Sequence, residues 1–327
     1  MKKRILSGIQ PSGNPHLGNY LGAMKNHIAM QDEYDSFIFI ADLHALTTVR
    51  DAKKLHELSI ELAMDYLALG LDPEKTVFFR QSDVADHSEL AWILGCITPM
   101  GLLERAHAYK DAVAKGVKDQ TAGLFTYPVL MAADILMYQP DLVPVGKDQK
   151  QHIEIARDIA IKFNDTFGET FKLPEPYIPP EVATIIGTDG EHKMSKSYGN
   201  VIEIFAEEAA LKKQVMGIKT DSTPVEEPKD PAKSSIYKLY TFFASAQEQK
   251  DLAARFKKGG MGYGDAKKIL LEKLLEYFGP ARKKRIELQK DLSYVESVLK
   301  KGAERAQAEA TKMMAKVRKN TGLSLKN

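Results

Sequence analysis

Cysteine is almost missing from this chain: of 327 residues, only Cys96 carries a thiol. A single cysteine excludes an internal disulfide, and with it any iron–sulfur cluster or zinc site built from several thiolates. A reducing compartment, the cytoplasm, is the expected setting. Cys96 lies in the apolar run Trp92 to Ile97 and is expected to be a core residue. Long hydrophobic runs are lacking too, so no membrane span and no membrane partner are expected. The basic start, Lys2 to Arg4, precedes an apolar stretch too short for a signal peptide and leads at once into a strand, leaving no room for a removable presequence. No carboxylate cluster suggests a dedicated metal cage, and no repeat or low-complexity segment occurs. What is present, 44% hydrophobic and 28% charged residues, is the composition of a globular protein, and 327 residues exceed what one core usually holds.

The net charge of +2 conceals an asymmetry. Residues 201–327 carry 26 Lys/Arg against 17 Asp/Glu, while residues 1–200 carry 20 against 27. A basic C-terminal third suits contact with a polyanion. Lys-rich helices also keep surfaces soluble, so the densest runs, Lys257-Lys258 and Arg282 to Arg285, are candidate contacts only.

The first part alternates strands and helices. Arg4 to Leu6 with Ile9, Phe37 to Ala41, Val77 to Phe79 and Leu142 to Val145 read as strands; about Lys53–Leu69 and Gln149–Phe163 read as helices. This βα alternation predicts an α/β domain with a Rossmann-like, mostly parallel sheet. Beyond Asn200 only Val201 to Ile204 reads as strand. Helical runs follow near 207–216, 235–244, 266–278 and 280–300, then to about Lys319, with a loop over Thr220 to Lys233 that holds four acidic residues and three prolines. The expected division is residues 1–204, a catalytic α/β domain, and 205–327, a smaller all-helical domain whose last helix is a candidate to pack back on the first.

Two short elements carry chemistry. Lys193-Met194-Ser195-Lys196-Ser197 puts two ammonium groups and two hydroxyls between the loose stretches Gly187–Gly190 and Tyr198–Asn200, a loop able to wrap a polyphosphate. Ser7 to Asn19 is a Gly/Pro-rich turn between a strand and a helix, which aims backbone N–H groups and a helix N-terminus at an anion. Gly8, Gly13 and Gly18 allow close approach there, and His16 and Asn19 add donors. Each has an ordinary explanation alone, a solvated lysine run and a capped βα turn. Together they point to a nucleotide.

The residues also carry a resemblance. His16-Leu17-Gly18-Asn19 resembles the HIGH motif of class I aminoacyl-tRNA synthetases, and Lys193 to Ser197 matches their KMSKS loop without a substitution. The runs SGIQPSG near the start, LMAADILMY at 130–138 and VPVGKDQKQHIE at 143–154 resemble the bacterial-type tryptophanyl-tRNA synthetase family over roughly the first two hundred residues. That resemblance implies a ligase that activates L-tryptophan with ATP to tryptophanyl-adenylate and pyrophosphate, then transfers the acyl group to the 3′ end of tRNA(Trp). It implies Mg²⁺ accompanying ATP, a homodimer, an anticodon-binding role for the helical domain, and no DNA partner. Lys193, Lys196, His16 and Gln10 take the catalytic roles. ATP is held by Gln10, Pro11, Ser12, Gly18, Asn19, Gly146, Lys147, Asp148, Ile185, Lys193, Met194, Ser195, Lys196 and Ser197. The loop and the His16 turn clamp one ATP from opposite sides, the loop closing near a domain hinge. Lys110, Lys115 and Lys118 fall on an expected surface loop, from which Lys110 is the candidate phosphate contact.

Asp134 is the sharpest residue. It stands in the apolar run Val129 to Tyr138, where a carboxylate is either solvated or buried with a partner. An indole offers one N–H donor and no acceptor, so an apolar pocket with one carboxylate suits it. By the resemblance Asp134 binds the indole; Met131, Tyr127, Gln149, His44 and Gly8 complete the tryptophan site. Lys147 stands where the family often has glutamate, and Leu43 where it often has glutamine. Other readings share the motifs: a tyrosyl-tRNA synthetase, a non-catalytic paralogue that binds tryptophan or ATP, and a nucleotidylyltransferase acting on a small metabolite. Pyrophosphate exchange separates the first two from the tryptophan enzyme, and tRNA dependence separates the third.

Overall fold

The computed structural model describes residues 2–106, 121–146, 149–178 and 185–324. Lys147, Asp148, Lys110, Lys115 and Lys118 lie outside them. The chain forms two compact units. One comprises Met1–Gly13, Asn26–Glu181 and Asp291–Asn327; the other comprises Asn14–Lys25 and Val182–Lys290. Both draw on separated stretches of chain, so a single cut after residue 204 does not divide them.

The first unit is built on a sheet of five parallel strands, β1 (Arg4–Ile9), β2 (Asp35–Ile40), β3 (Thr76–Arg80), β4 (Leu142–Pro144) and β5 (Glu175–Tyr177), in the order β3-β2-β1-β4-β5. β2 and the edge strand β3 are buried on both faces, which explains why Phe37 to Ile40 and Val77 to Phe79 are continuous apolar runs. Order reverses between β1 and β4, and ligands of such sheets bind beyond the carboxyl ends of the strands at this switch point. Gln10 to Ser12 and Gly146 follow those two ends. β5 has only three residues, one of them Pro176, and pairs through β4 alone; too short and too proline-interrupted for an apolar pattern, it was not expected from sequence.

Helices cover the sheet: among them α3 (Asp42–Ala45), α4 (Ala52–Leu69), α5 (Asp86–Gly95), α6 (Met100–Glu104), α7 (Ala122–Tyr138), α8 (Lys150–Phe167) and α13 (Leu292–Thr321). Helix α13 packs against β3 at Gly302, where an added Cβ would stand 1.8 Å from the Phe78 carbonyl oxygen. Arg305 of the same helix donates to the carbonyls of Pro73 and Thr76 at 2.9 and 3.3 Å. Arg4 braces the other side, donating to Asp35 at 2.7 Å and to Glu309 at 3.0 Å.

Cys96 is exposed rather than in the core, and Trp92 is 76% exposed. Helix α5 turns Leu90, Ile93 and Leu94 inward at helical spacing, which leaves Trp92 and Cys96 facing out. The uniformly apolar run hid that period.

The second unit contains α1 (Leu17–Asn19) and a π-turn (Tyr20–Met24), whose chain runs on into α2 (Lys25–Met30), all but the first residue of which groups with the first unit; it also contains the Lys193–Ser197 loop and α9 (Glu208–Met216), α10 (Ser235–Thr241), α11 (Ala246–Lys258) and α12 (Tyr263–Lys290). Val201 to Ile204 is no strand; only an isolated antiparallel bridge joins Glu203 to His16. Pro280, expected as a helix boundary, lies inside α12, whose buried residues Leu274, Phe278 and Ala281 continue across it. The break comes at Asp291, which caps α13 by accepting from the Tyr294 N–H at 3.0 Å. Arg282 is not a free surface cation: it donates to the carbonyls of Ile204 and Ala206 at 2.5 and 2.6 Å. Arg285 lies over the Phe205 ring at 5.2 Å. Their charges fasten the chain just beyond the lysine loop, so of that basic run Lys283 and Lys284 are the exposed members.

Candidate active site

In the first unit a polar cluster is enclosed by the apolar core. Helix α7 carries Tyr127, Met131, Asp134 and Tyr138 on one face, spaced by four, three and four residues. Asp134 is 1% exposed and accepts three hydrogen bonds. Gln81 Nε2 and His87 Nδ1 reach Oδ1 at 2.7 and 2.6 Å, and His44 Nε2 reaches Oδ2 at 2.8 Å. Burial alone would raise the carboxyl pKa, yet the bonds from His44 and His87 outweigh it and hold it at about 2. Asp134 is therefore an ionised acceptor, buried because it is paired.

The strand ends deliver these partners. Asp42, following β2, accepts from the backbone N–H groups of Leu43 and Ser82 at 3.0 and 2.9 Å and from the Ser82 hydroxyl, tying the carboxyl ends of β2 and β3 together. That sets His44 on one side and Gln81 on the other. Tyr127 shares a 3.2 Å hydrogen bond with His152 Nε2, and its ring meets His44 edge-on with centroids 6.1 Å apart. Gln149 begins α8, its N–H bonded to the Gly146 carbonyl at 3.0 Å. Gly8 lies in β1 where an added Cβ would fall 2.4 Å from the Phe39 ring, so only glycine fits. Met131 is partly buried against the same core. The sequence-derived tryptophan residues thus sit on the strand ends and helix faces of one unit. Asp42, Gln81, His87 and Tyr138 were missed. Their signal was a polar group at a strand's carboxyl end or inside an apolar run, the same signal that exposed Asp134.

The second unit holds the other constellation. His16 caps α1: its Nδ1 accepts from the Asn19 N–H at 3.3 Å, while Asn19 Oδ1 accepts from the His16 N–H at 3.1 Å. Burial, with Lys196 and Lys193 nearby, lowers the His16 pKa from 6.5 to about 4. The ring is neutral at pH 7, and with Nδ1 accepting, its Nε2–H remains to donate. Gly18 admits that ring, since a Cβ there would stand 2.9 Å from Nδ1 and 3.4 Å from Met194 Cβ. Leu17 N–H donates to Ile202 O at 2.9 Å and Ile204 N–H to Pro15 O at 3.1 Å, so the helix start and the chain after the lysine loop are bonded directly. His16, Gly18, Asn19, Lys193 and Lys196 therefore share one unit, whereas the sequence places them a whole βα domain apart.

Asn200 holds the loop itself. It is 2% exposed; its Oδ1 accepts from the Ser195 N–H at 2.8 Å and its Nδ2 donates toward Asp189 at 3.1 Å and Lys193 O at 3.2 Å. Ile185 O accepts from the Met194 N–H at 2.8 Å, seating the buried Met194, while Ser195 and Ser197 share a 2.9 Å hydroxyl contact. Gln10, Pro11 and Ser12 belong to the first unit with Gly146. Among the described residues no group of three or more His, Cys, Asp or Glu could hold a metal ion.

Comparison with known proteins gives the family. The model of the family "tRNA synthetases class I (W and Y)" matches residues 1–279. A tryptophan–tRNA ligase of Fusobacterium nucleatum is 55% identical over 322 residues, covering 98% of each chain. One from Rhodopirellula baltica is 52% identical over 320 residues, covering 98% of this chain and 99% of its own. The crystal structure of a Campylobacter jejuni tryptophanyl-tRNA synthetase complexed with ADP and tryptophan superposes with a TM-score of 0.93 at 50% identity, covering 98% of this chain and 99% of the other. By sequence and by structure, the chain belongs to the class I tRNA synthetases of the tryptophan and tyrosine family.

Proposed function

We propose that this enzyme is the ATP-dependent ligase that joins tryptophan to tRNA(Trp). The observation that carries the choice of amino acid is the buried, ionised Asp134, an acceptor surrounded by donors in an apolar enclosure. An indole N–H satisfies such a group without bringing an acceptor of its own. A tyrosine pocket has to serve a hydroxyl that both donates and accepts.

The reaction follows from the side chains. The tryptophan carboxylate attacks the α-phosphorus of ATP, pyrophosphate leaves, and a ribose hydroxyl at the tRNA 3′ end then takes the acyl group from the adenylate. No bond forms to the protein, so positioning and charge stabilisation do the work. Lys193 and Lys196 hold the departing β- and γ-phosphates, and the neutral His16 donates from Nε2 to a phosphate oxygen. Gln10 to Ser12, Gly18, Asn19, Gly146 and the loop backbone at Ile185 to Ser197 cradle the nucleotide, with Lys147 and Asp148 reaching its ribose. Mg²⁺ enters on the phosphates as part of the substrate. Tyr127 and Gln149 receive the amino group, while Met131, His44 and Gly8 shape the indole pocket. Residues 1–204 supply this chemistry and 205–327 the tRNA anticodon contacts. The working form is a cytoplasmic homodimer.

Charging of unfractionated bacterial tRNA with labelled tryptophan tests the assignment. Incorporation that depends on ATP and on tRNA(Trp) is the expected result; incorporation of tyrosine instead, or adenylate formation without transfer, contradicts it.

A further inference from the structure

We propose that His87, backed by Tyr138, is a specificity-determining positioning residue that leaves Asp134 one open acceptor site, on Oδ2, and so makes an N–H donor in the substrate side chain a requirement. This rests on the reading of Asp134 as the indole acceptor.

A carboxylate has about four lone-pair sites, two on each oxygen. Oδ1 of Asp134 is filled by Gln81 at 2.7 Å and His87 at 2.6 Å. Among the described residues Oδ2 takes His44 alone, at 2.8 Å. The open site is therefore on Oδ2, beside His44. His87 is fully buried, and its Nε2 lies 2.8 Å from the Tyr138 hydroxyl. That hydroxyl donates to Nε2 of the neutral ring, which puts the proton on Nδ1, aimed at Asp134; in the imidazolium form Nδ1 donates as well. The bond to the carboxylate is kept in either state. Gln81 gives up a partner to the same end: its buried Oε1 has no protein partner among the described residues, while its Nε2 points at Asp134. An amide turned to satisfy Oε1 would set oxygen against oxygen. Donors fixed on both oxygens favour the ionised carboxylate, which accepts and cannot donate.

His87 also packs within a ring cluster, its centroid 5.5 Å from Tyr138, 6.1 Å from Phe39 and 6.2 Å from Phe79. Neighbours this close hold the imidazole's orientation without contacting substrate, which makes its role one of positioning. Removing the Nδ1 donor frees a second site on Oδ1 and lets the carboxylate rotate away from the indole.

The test compares tryptophan with 3-(3-benzothienyl)alanine, whose sulfur replaces the N–H at nearly constant shape, in pyrophosphate exchange. For His87→Leu, tryptophan kcat/KM is expected to fall about 10- to 100-fold while the analogue changes by less than about threefold, with the ATP KM unmoved. His87→Asn, whose Nδ2 falls near the histidine Nδ1, is expected to restore most of the discrimination. Tyr138→Phe removes one hydroxyl and keeps the ring, so it stays informative if His87→Leu does not fold; about a threefold to tenfold loss of discrimination is expected. Equal losses for both substrates, or no loss, overturn the proposal. If Asp134→Asn abolishes discrimination while His87→Leu and Tyr138→Phe retain it, the role of His87 alone fails. If Asp134→Asn itself retains discrimination, the acceptor reading fails, and the proposal with it.

Discussion

His16 shows how one side chain is set for its task by its surroundings. Its Nδ1 is committed to the Asn19 N–H, and burial beside Lys196 and Lys193 keeps the ring neutral, so Nε2–H is a donor at pH 7. An NMR titration of the free protein should place the His16 midpoint at about 4, and a midpoint at the ordinary 6.5 would mean the ring is not held this way. The linkage has a definite sign. The folded pKa is lowered, so this residue contributes stability that is full above 6.5 and is lost as the pH falls from there toward about 4. His27, buried with its ring nitrogen 2.8 Å from the Tyr66 hydroxyl, is also lowered to about 4 and adds to the loss over the same window. Asp134 behaves differently: depressed to about 2, it stays ionised through that range. Asp134→Asn should strongly weaken tryptophan activation while leaving ATP binding largely intact, and an unchanged kcat/KM for tryptophan would refute its role. Asp134 was legible in sequence because a lone carboxylate in an apolar run demands a reason. Gln81 and His87 were not, since they meet it across 53 and 47 residues of chain and only the ordering of the strands brings them there.

Between residues and whole units, the Lys193–Ser197 loop depends on what lies behind it. Asn200 bonds the backbone of Ser195 and Lys193, and Gly187 leaves it space; a Cβ at 187 would lie 2.2 Å from Asn200 Nδ2. Gly187→Ala should therefore displace the loop and lower the activation rate by about 100-fold with little change in tryptophan KM, measured by pyrophosphate exchange. Lys196→Ala should slow activation by a similar factor of about 100 through lost phosphate stabilisation, and an unchanged rate would demote the loop to surface. The loop is a candidate for closure on ATP, with Arg282 fixing the chain that follows it at Ile204 and Ala206. Helix α13 makes a second element-scale case. Gly302→Ala forces a methyl group into the Phe78 carbonyl and should destabilise the protein by about 3 kcal/mol in denaturant unfolding. The parallel strands were readable because burial on both faces writes a continuous apolar run. β5 and the passage of α12 through Pro280 were not, because a three-residue edge pairing and a helix held across a proline by its buried face depend on tertiary contacts.

For the molecule as a whole, sequence distance is a poor guide to structural partnership. Residues 14–25 group with 182–290, and residues 291–327 with the sheet, so two elements that read as opposite ends of one domain share a compact unit, and the last helix groups with the first strands. The HIGH-like turn and the lysine loop were each visible in the sequence; that they are bonded through Leu17, Ile202, Pro15 and Ile204 was not. The surface carries its own expectation. Trp92, the sole tryptophan, is 76% exposed and Met100 is 62% exposed, an apolar display that a second copy of the chain is proposed to cover. Sedimentation should then report a dimer, with Trp92 emission shifting to the blue as concentration rises; a monomer with unshifted emission would remove the dimer from the account. Selective activation of tryptophan is measured by ATP–pyrophosphate exchange with tryptophan and with tyrosine. Exchange should be rapid with tryptophan and lower by about 10⁴-fold or more with tyrosine, because the buried polar site rejects a side chain that cannot match it. Comparable exchange with the two amino acids, or none with tryptophan, would contradict this selectivity.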